Sequence, residues 1–262
     1  MKANLFLLLL LIISIDSNAQ QRGDPKLTEV WSPVPKVITA GKSVSNDAPS
    51  DAIILFREKK DTINWISKKG KPFNWKVDDS SITVVPFAED ADYSPEEKQK
   101  NAVQGIQTKQ SFGDCQLHIE WRTPALIKGD GQGRGNSGVL FMGRYELQIL
   151  DSYNNPTYSN GQAGSIYKQY MPMVNVCRPP GEWQSYDVIF FAPQFYPDSM
   201  LKSPARMTVF QNGVLIQNNV ALWGSMQFIG ISKYEMHGAK EPLLLQDHRN
   251  LVSFRNIWIR EL

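Results

Sequence analysis

The stretch that decides the fold is Cys115-Gln116-Leu117-His118-Ile119-Glu120-Trp121-Arg122. Leu117, Ile119 and Trp121 alternate strictly with His118, Glu120 and Arg122. A period of two puts the apolar set on one face and the polar set on the other, so the segment is a β-strand with one buried face. Working outward, the same reading recurs. Residues 52–56 (Ala-Ile-Ile-Leu-Phe) form a compact apolar strand, and 82–85 form another that Pro86 stops. Residues 139–142 and 145–150 make a hairpin around Gly143, whereas 129–138, with five glycines, read as a loop. Strands follow at 186–191 and 206–210, and Gln211-Asn212-Gly213-Val214 sets Asn-Gly between apolar runs, a strong hairpin signal. The chain closes on a strand at 254–259, with Ile257 and Ile259 on one face and Trp258 on the other. No segment keeps a helical period for three turns, and no internal repeat is present. Roughly ten to fourteen short strands separated by turn signals describe an all-β sandwich or barrel.

Composition agrees. Seven Trp, 9 Tyr and 12 Phe stand beside 18 Gly and 16 Pro, the mixture of strand formers and breakers that a turn-rich β protein needs. A net charge of +2, from 28 basic against 26 acidic residues, lacks the basic excess of a nucleic-acid binder. Three His and two Cys exclude Cys-rich zinc modules and disulfide-dense scaffolds. Walker, Rossmann, HExxH and GxSxG motifs are all missing, which sets aside nucleotide and serine-hydrolase chemistry.

The first residues read as an address. Met1-Lys2, an apolar run from Leu5 to Ile15 and Ser17-Asn18-Ala19 have the order of a secretory signal, 1–19, cleaved after Ala19. The run is shorter than the ~20 residues that span a bilayer. The expected product is periplasmic or secreted, with no membrane span. Residues 20–50, rich in Pro, Ser, Lys and Asp, form an extended N-terminal arm leaning on a single domain, 51–262. Residues 88–104 are charged and read as an exposed loop or short helix. Export would let Cys115 and Cys177, 62 residues apart, form a disulfide; two buried thiols are the alternative, and the sequence leaves both open.

Chemistry is sought where polar residues share a face. His118, Glu120 and Arg122 form one such row. In Tyr145-Glu146-Leu147-Gln148-Ile149-Leu150-Asp151, Glu146 and Gln148 share a face, and a β-bulge near Ile149-Leu150 would return Asp151 to it. The spacing echoes the bulged strand of laminarinase-type glycosidases, but Gln148 stands where a retaining enzyme needs an acid. Asn136 in a Gly-flanked loop, Lys168 between Tyr167 and Tyr170, and Gln246 before Asp247-His248 are further polar candidates. Trp183 is either core or a sugar platform. His248 is a candidate general base or metal ligand.

Several ordered blocks carry a resemblance. They are Thr108 to Asp114 leading into Leu117 to Arg122, Gly135-Asn136-Ser137-Gly138, Gly143 to Tyr153, Gly181-Glu182-Trp183-Gln184, Leu245 to His248 and Phe254 to Leu262. From about residue 51 the chain resembles the 3-keto-disaccharide hydrolase domain family. Departures are Arg57-Glu58-Lys59-Lys60, where that family usually has an Asp-Gly turn, and Arg249-Asn250, where a Gly is usual. The resemblance implies a concanavalin/laminin-G-like jelly roll of two antiparallel sheets with its site on the concave face. It implies cleavage of glycosides whose C3 hydroxyl an upstream sugar 3-oxidoreductase has oxidised to a ketone. On that footing Glu146, Asp151 and His248 are the expected catalytic set, with Glu120, Arg122, Asn136, Gln148, Lys168 and Gln246 binding a small carbohydrate. A divalent metal held by Glu146, Asp151 and His248 is compatible with this, although no diagnostic spacing requires one. A non-catalytic carbohydrate-binding module and a laminarinase-like glycosidase acting on unoxidised glucans are the competing readings.

Overall fold

The computed structural model describes residues 23–37, 47–86 and 104–262. The segment expected to be a secretory signal, 1–19, and residues 88–103 of the charged stretch lie outside the described residues. Seventeen strands, numbered in chain order, and four short 3-10 turns are present among them. One sheet runs β15 (Val214–Ala221), β14 (Arg206–Gln211), β11 (Gln184–Phe191), β7 (Cys115–Arg122), β17 (Ser253–Glu261), β5 (Ile82–Thr83) and β4 (Lys76–Val77). β2 (Ile53–Phe56) also pairs with β17, which makes eight strands. The other sheet runs β3 (Trp65–Ser67), β6 (Gln104–Phe112), β16 (Glu241–Asp247), β8 (Ser137–Phe141) and β9 (Tyr145–Ile149). The pairings within both sheets are antiparallel. Two small pairs stand apart: β1 (Lys36–Val37) beside β10 (Val174–Asn175), and β12 (Gln194–Phe195) beside β13 (Leu201–Ser203). This is the jelly-roll sandwich expected from the sequence. No described helix is long and apolar enough to cross a membrane.

Alternation decides which residues fill the sandwich. Leu117, Ile119 and Trp121 of β7 are fully buried, and Trp121 packs on Tyr186 of β11 with ring centres 5.3 Å apart. From the five-stranded sheet, Phe141 stacks on Phe190 at 4.8 Å and Tyr145 meets the same ring at 5.8 Å. Tyr145, Leu147 and Ile149 therefore point inward, and Glu146 and Gln148 point to the outer face of the five-stranded sheet. By the same logic His118, Glu120 and Arg122 point to the outer face of the eight-stranded sheet. Two polar rows that look alike in sequence thus lie on opposite sides of a core about 10 Å thick.

Local chemistry sets the turns and bends. Gln211 pairs with Val214 across Asn212 (φ 53°) and Gly213 (φ 80°), the double left-handed geometry of a tight hairpin. In β17 the register shifts between Arg255 and Trp258, with Asn256 at φ 44°. This bulge keeps Phe254, Ile257 and Ile259 in the core while Trp258 stacks outside on His118 at 5.4 Å. The loop expected over 129–138 is shorter than the glycines suggest, because Ser137 and Gly138 already belong to β8.

The cysteines are two buried thiols, not a bridge. Cys115 pairs with Phe190 at one end of β11, whereas Cys177 lies 3.3 Å from the Gln211 amide, beside Gln184 at the other end. Six residues of strand separate those ends, roughly 20 Å, far beyond disulfide reach. Burial pushes the Cys115 thiol up to about 12 and that of Cys177 to about 11, so neither is a ready nucleophile.

Candidate functional site

The outer face of the five-stranded sheet carries the most perturbed carboxyl group. Leu140 of β8 pairs with Leu244 of β16 on one side and with Glu146 of β9 on the other. One step along, Gly138 pairs with Gln148. Gly138 has no side chain, and the Glu146 carboxyl folds into that gap: a Cβ at Gly138 would meet Glu146 Oε1 at 2.5 Å. Glu146 is 3% exposed and has no hydrogen-bond or ion-pair partner for its carboxyl group among the described residues. Desolvation by burial alone raises its pKa from 4.5 to about 8. That value suits a group that must hold or take a proton near neutrality.

Around it, amides are oriented and left half satisfied. Gln148 Nε2 donates to Gln132 Oε1 at 3.0 Å, and Gln132 Nε2 donates to the Gly161 carbonyl at 2.9 Å and to Thr157 Oγ1 at 3.0 Å. Asn136 Nδ2 donates to the Gln132 carbonyl at 2.8 Å. Because its N–H groups are committed, Gln148 turns its carbonyl oxygen away, and that buried oxygen has no partner among the described residues. Among the described residues the buried Oε1 of Gln246 on β16 is likewise unpaired, as is that of Gln162. An unpaired buried acceptor is costly, and donors such as sugar hydroxyls would relieve it.

A segment after β9 completes the rim. Leu147 makes an isolated bridge to Ile166, and the Tyr167 N–H donates to the Glu146 carbonyl at 3.2 Å. The hydroxyls of Tyr158 and Tyr167 hydrogen-bond at 2.8 Å. Both phenols have raised pKa values, first by burial and also by the negative charge of Glu146, so they stay protonated donors. Lys168 takes a different part from the one expected. Its Nζ donates to the carbonyls of Pro25 and Phe228, 2.8 Å each, inside a cage formed by the rings of Phe228 (4.8 Å), Tyr158 (5.5 Å) and Tyr167 (5.9 Å). It is a clasp between two chain segments.

The remaining expected residues lie elsewhere. Asp151 does not return to the face of Glu146. Ile149 and Leu150 both enter the core, and the Asp151 carboxylate beyond them accepts from Arg134 Nε at 2.7 Å and from the Tyr153 N–H at 3.2 Å. It lines a separate cavity of about 500 Å³ with Arg134, Thr123 and Leu251. His248 is exposed just past β16, although nearby protein atoms partly desolvate it and hold its pKa below 6.5. No three His, Cys, Asp or Glu side chains gather as a metal-binding group among the described residues, so Glu146, Asp151 and His248 do not form the set a metal would need.

Glu120 and Arg122 sit across the core, on the other sheet. Glu120 accepts from Arg255 Nε at 2.6 Å and from Asn256 at 3.0 Å. His118 pairs with Asp187 at 2.7 Å, and both carboxylates overcome desolvation to raise it to about 9. Trp183 is half-buried between the guanidinium groups of Arg122 (4.6 Å) and Arg255 (4.1 Å). This polar row is an ion-pair and cation–π network, remote from Glu146.

The sequence reading passed over Gln132, Gly138, Tyr158 and Gln162. Gly138 stands at the end of the glycine-rich stretch 129–138, and only its place in β8, opposite Gln148, gives it a part in the site.

The model of the 3-keto-alpha-glucoside-1,2-lyase-like domain matches residues 51–260. The chain belongs to that family. Among solved structures, this family member is similar to a "putative glycosyl hydrolase" from Parabacteroides distasonis: 45% identity over 90% of this chain and 96% of that one, TM-score 0.74. A second Parabacteroides distasonis protein with the same description is 20% identical over 83% of this chain and 99% of that one, with a TM-score of 0.55; that likeness is one of fold. No curated protein matches the chain. The 3-keto-glucoside lyase-like domain is a carbohydrate-active, glycoside-directed unit.

Proposed function

We propose that this protein is an exported enzyme that cleaves the glycosidic bond of 3-keto-glycosides, with Glu146 as the group that handles the C2 proton. The observation that carries the reading is the solitary buried carboxyl over Gly138, with unpaired amide oxygens of Gln148 and Gln246 on the same face. A ketone at C3 acidifies the hydrogen on C2, so one modest base suffices. Glu146 takes that proton, the C2 electron pair forms the enolate of the C3 ketone, and its collapse to a C1–C2 double bond expels the C1 substituent. The leaving oxygen takes a proton from the Tyr158–Tyr167 hydroxyl pair or from solvent. The unsaturated ketone is then released, or water adds back across C1 and C2 to give net hydrolysis. Gln148 and Gln246 would accept from sugar hydroxyls.

Hydrolysis of an unoxidised glycoside asks for a second carboxylate about 5–9 Å from the first. Here that place holds Gln148, and Asp151 is committed to Arg134. A lectin would have no need of a lone desolvated acid. Exposed His248 has the weaker claim to the base role. The decisive assay offers the protein a 3-keto-disaccharide and its unoxidised parent, with Glu146→Gln and His248→Ala alongside wild type. Cleavage of the oxidised sugar alone, abolished in Glu146→Gln, is expected. Equal cleavage of both sugars, or full activity in Glu146→Gln, would overturn the proposal.

A further inference from the structure

The arm before the domain lies against this same site. Asp24 caps a 3-10 turn at Pro25–Thr28, after which the chain passes through a bend at 32–33 to β1. Its contacts are specific and buried on the domain side. The Val30 N–H donates to Asn160 Oδ1 at 3.1 Å, and the Val30 carbonyl accepts from the Ser159 N–H at 2.6 Å. Asn160 Nδ2 reaches the Thr28 carbonyl at 3.1 Å, and Ser159 Oγ the Pro33 carbonyl at 2.7 Å. Ser159 and Asn160 are almost wholly buried, and Lys168 clasps Pro25 at the other end.

One arm side chain stands out. Trp31 is 59% exposed, edge-on to the Tyr158 ring at 6.2 Å. Its indole N–H donates to Glu29 Oε2 at 3.2 Å, which fixes the ring and leaves a face to solvent. Tyr158 joins Trp31 to Tyr167, whose backbone N–H donates to the main-chain carbonyl of Glu146 at 3.2 Å. A held, solvent-facing indole one ring away from a carbohydrate site offers what a pyranose needs: a flat apolar surface for its C–H face. An exposed Trp on a loose tail would need no such fixing.

We infer that the arm is a wall of the site, with Trp31 as the platform for the sugar ring on the leaving-group side of the scissile bond and Glu29 as its positioning residue. This rests on the proposed reading of the Glu146 site. Two substrates then separate its parts. A 3-keto-disaccharide fills both positions, whereas a methyl 3-keto-glucoside fills only the one over Glu146.

The test measures binding by calorimetry in the Glu146→Gln background, so that it does not depend on turnover. Trp31→Ala is expected to weaken the disaccharide about tenfold, the scale of one aromatic anchor, and to leave the methyl glycoside unchanged. Trp31→Phe should restore most of the loss, and Glu29→Gln should lie between. Since Trp31 is largely exposed, a thermal scan should show the Trp31→Ala fold intact. Equal effects on both ligands, no effect on either, or no binding of the disaccharide to Glu146→Gln would overturn the inference. Selective loss of disaccharide binding without wild-type turnover would instead refute only the proposed reaction.

Discussion

Replacing Glu146 by Gln tests the central claim through stability as well as activity. The wild-type carboxyl has an ordinary value of 4.5 in the unfolded chain and about 8 in the fold, because burial penalises its charged form. Between those values the folded protein holds a proton that the unfolded chain has released. Stability therefore falls as pH rises across this window: the full contribution is present below 4.5 and is lost as pH passes through about 8. The span corresponds to about 5 kcal/mol at about 1.4 kcal/mol per pH unit. Gln has nearly the same shape and cannot ionise, so Glu146→Gln removes this slope; the neighbouring Tyr158 and Tyr167, which also feel its charge, titrate above this window. Urea unfolding followed by tryptophan fluorescence should give nearly equal stabilities at pH 4.5. By pH 9 the variant should be more stable by several kcal/mol. If Glu146 is the base, kcat/KM of the wild type on the 3-keto substrate should rise tenfold per pH unit below about 8 and level off above it. A stability difference that is flat from pH 4.5 to 9 would refute the solitary buried acid, whatever the kinetics show.

Four further outcomes follow from other parts of the molecule. Gly138→Ala puts a methyl group where the Glu146 carboxyl lies, so turnover should drop at least tenfold for a cost of about 1–3 kcal/mol in denaturant stability. Asp187→Asn removes the strongest partner of buried His118; it should destabilise by about 1–3 kcal/mol below pH 6.5, an effect that fades as pH rises through about 9, and leave turnover intact. Lys168→Met unfastens Pro25 and Phe228, and faster amide hydrogen exchange confined to residues 24–31 and 226–230 would register the freed clasp. Cys115 and Cys177 should stay unmodified by a thiol reagent until urea unfolds the chain, and reductant should leave the melting temperature unchanged.

The strands were legible because alternation is a local property. Leu117, Ile119 and Trp121 must share a face in any sheet, and Asn212-Gly213 must turn, since few other residue pairs accept positive φ twice. Glu146 and Gln148 were legible for the same reason. Asp151 was not: its direction depends on Ile149 and Leu150 both finding room in the core, and that is set by neighbouring strands. The cysteines show the same limit, because their separation follows from which strand ends face each other.

From its sequence alone this chain determines an all-β sandwich, its family likeness, and a set of polar residues on strand faces. A period of two says that faces exist; it does not say which sheet a strand joins or what lies over that face. Only the tertiary structure separated Glu120 and Arg122 from Glu146 by a full core, and only it laid the arm beside Tyr158. Those are contacts between residues more than a hundred positions apart, decided by how the two sheets pack and where the connections cross. The low dielectric around Glu146 is likewise a collective effect of its neighbours, so its altered acidity had no trace in the residue itself.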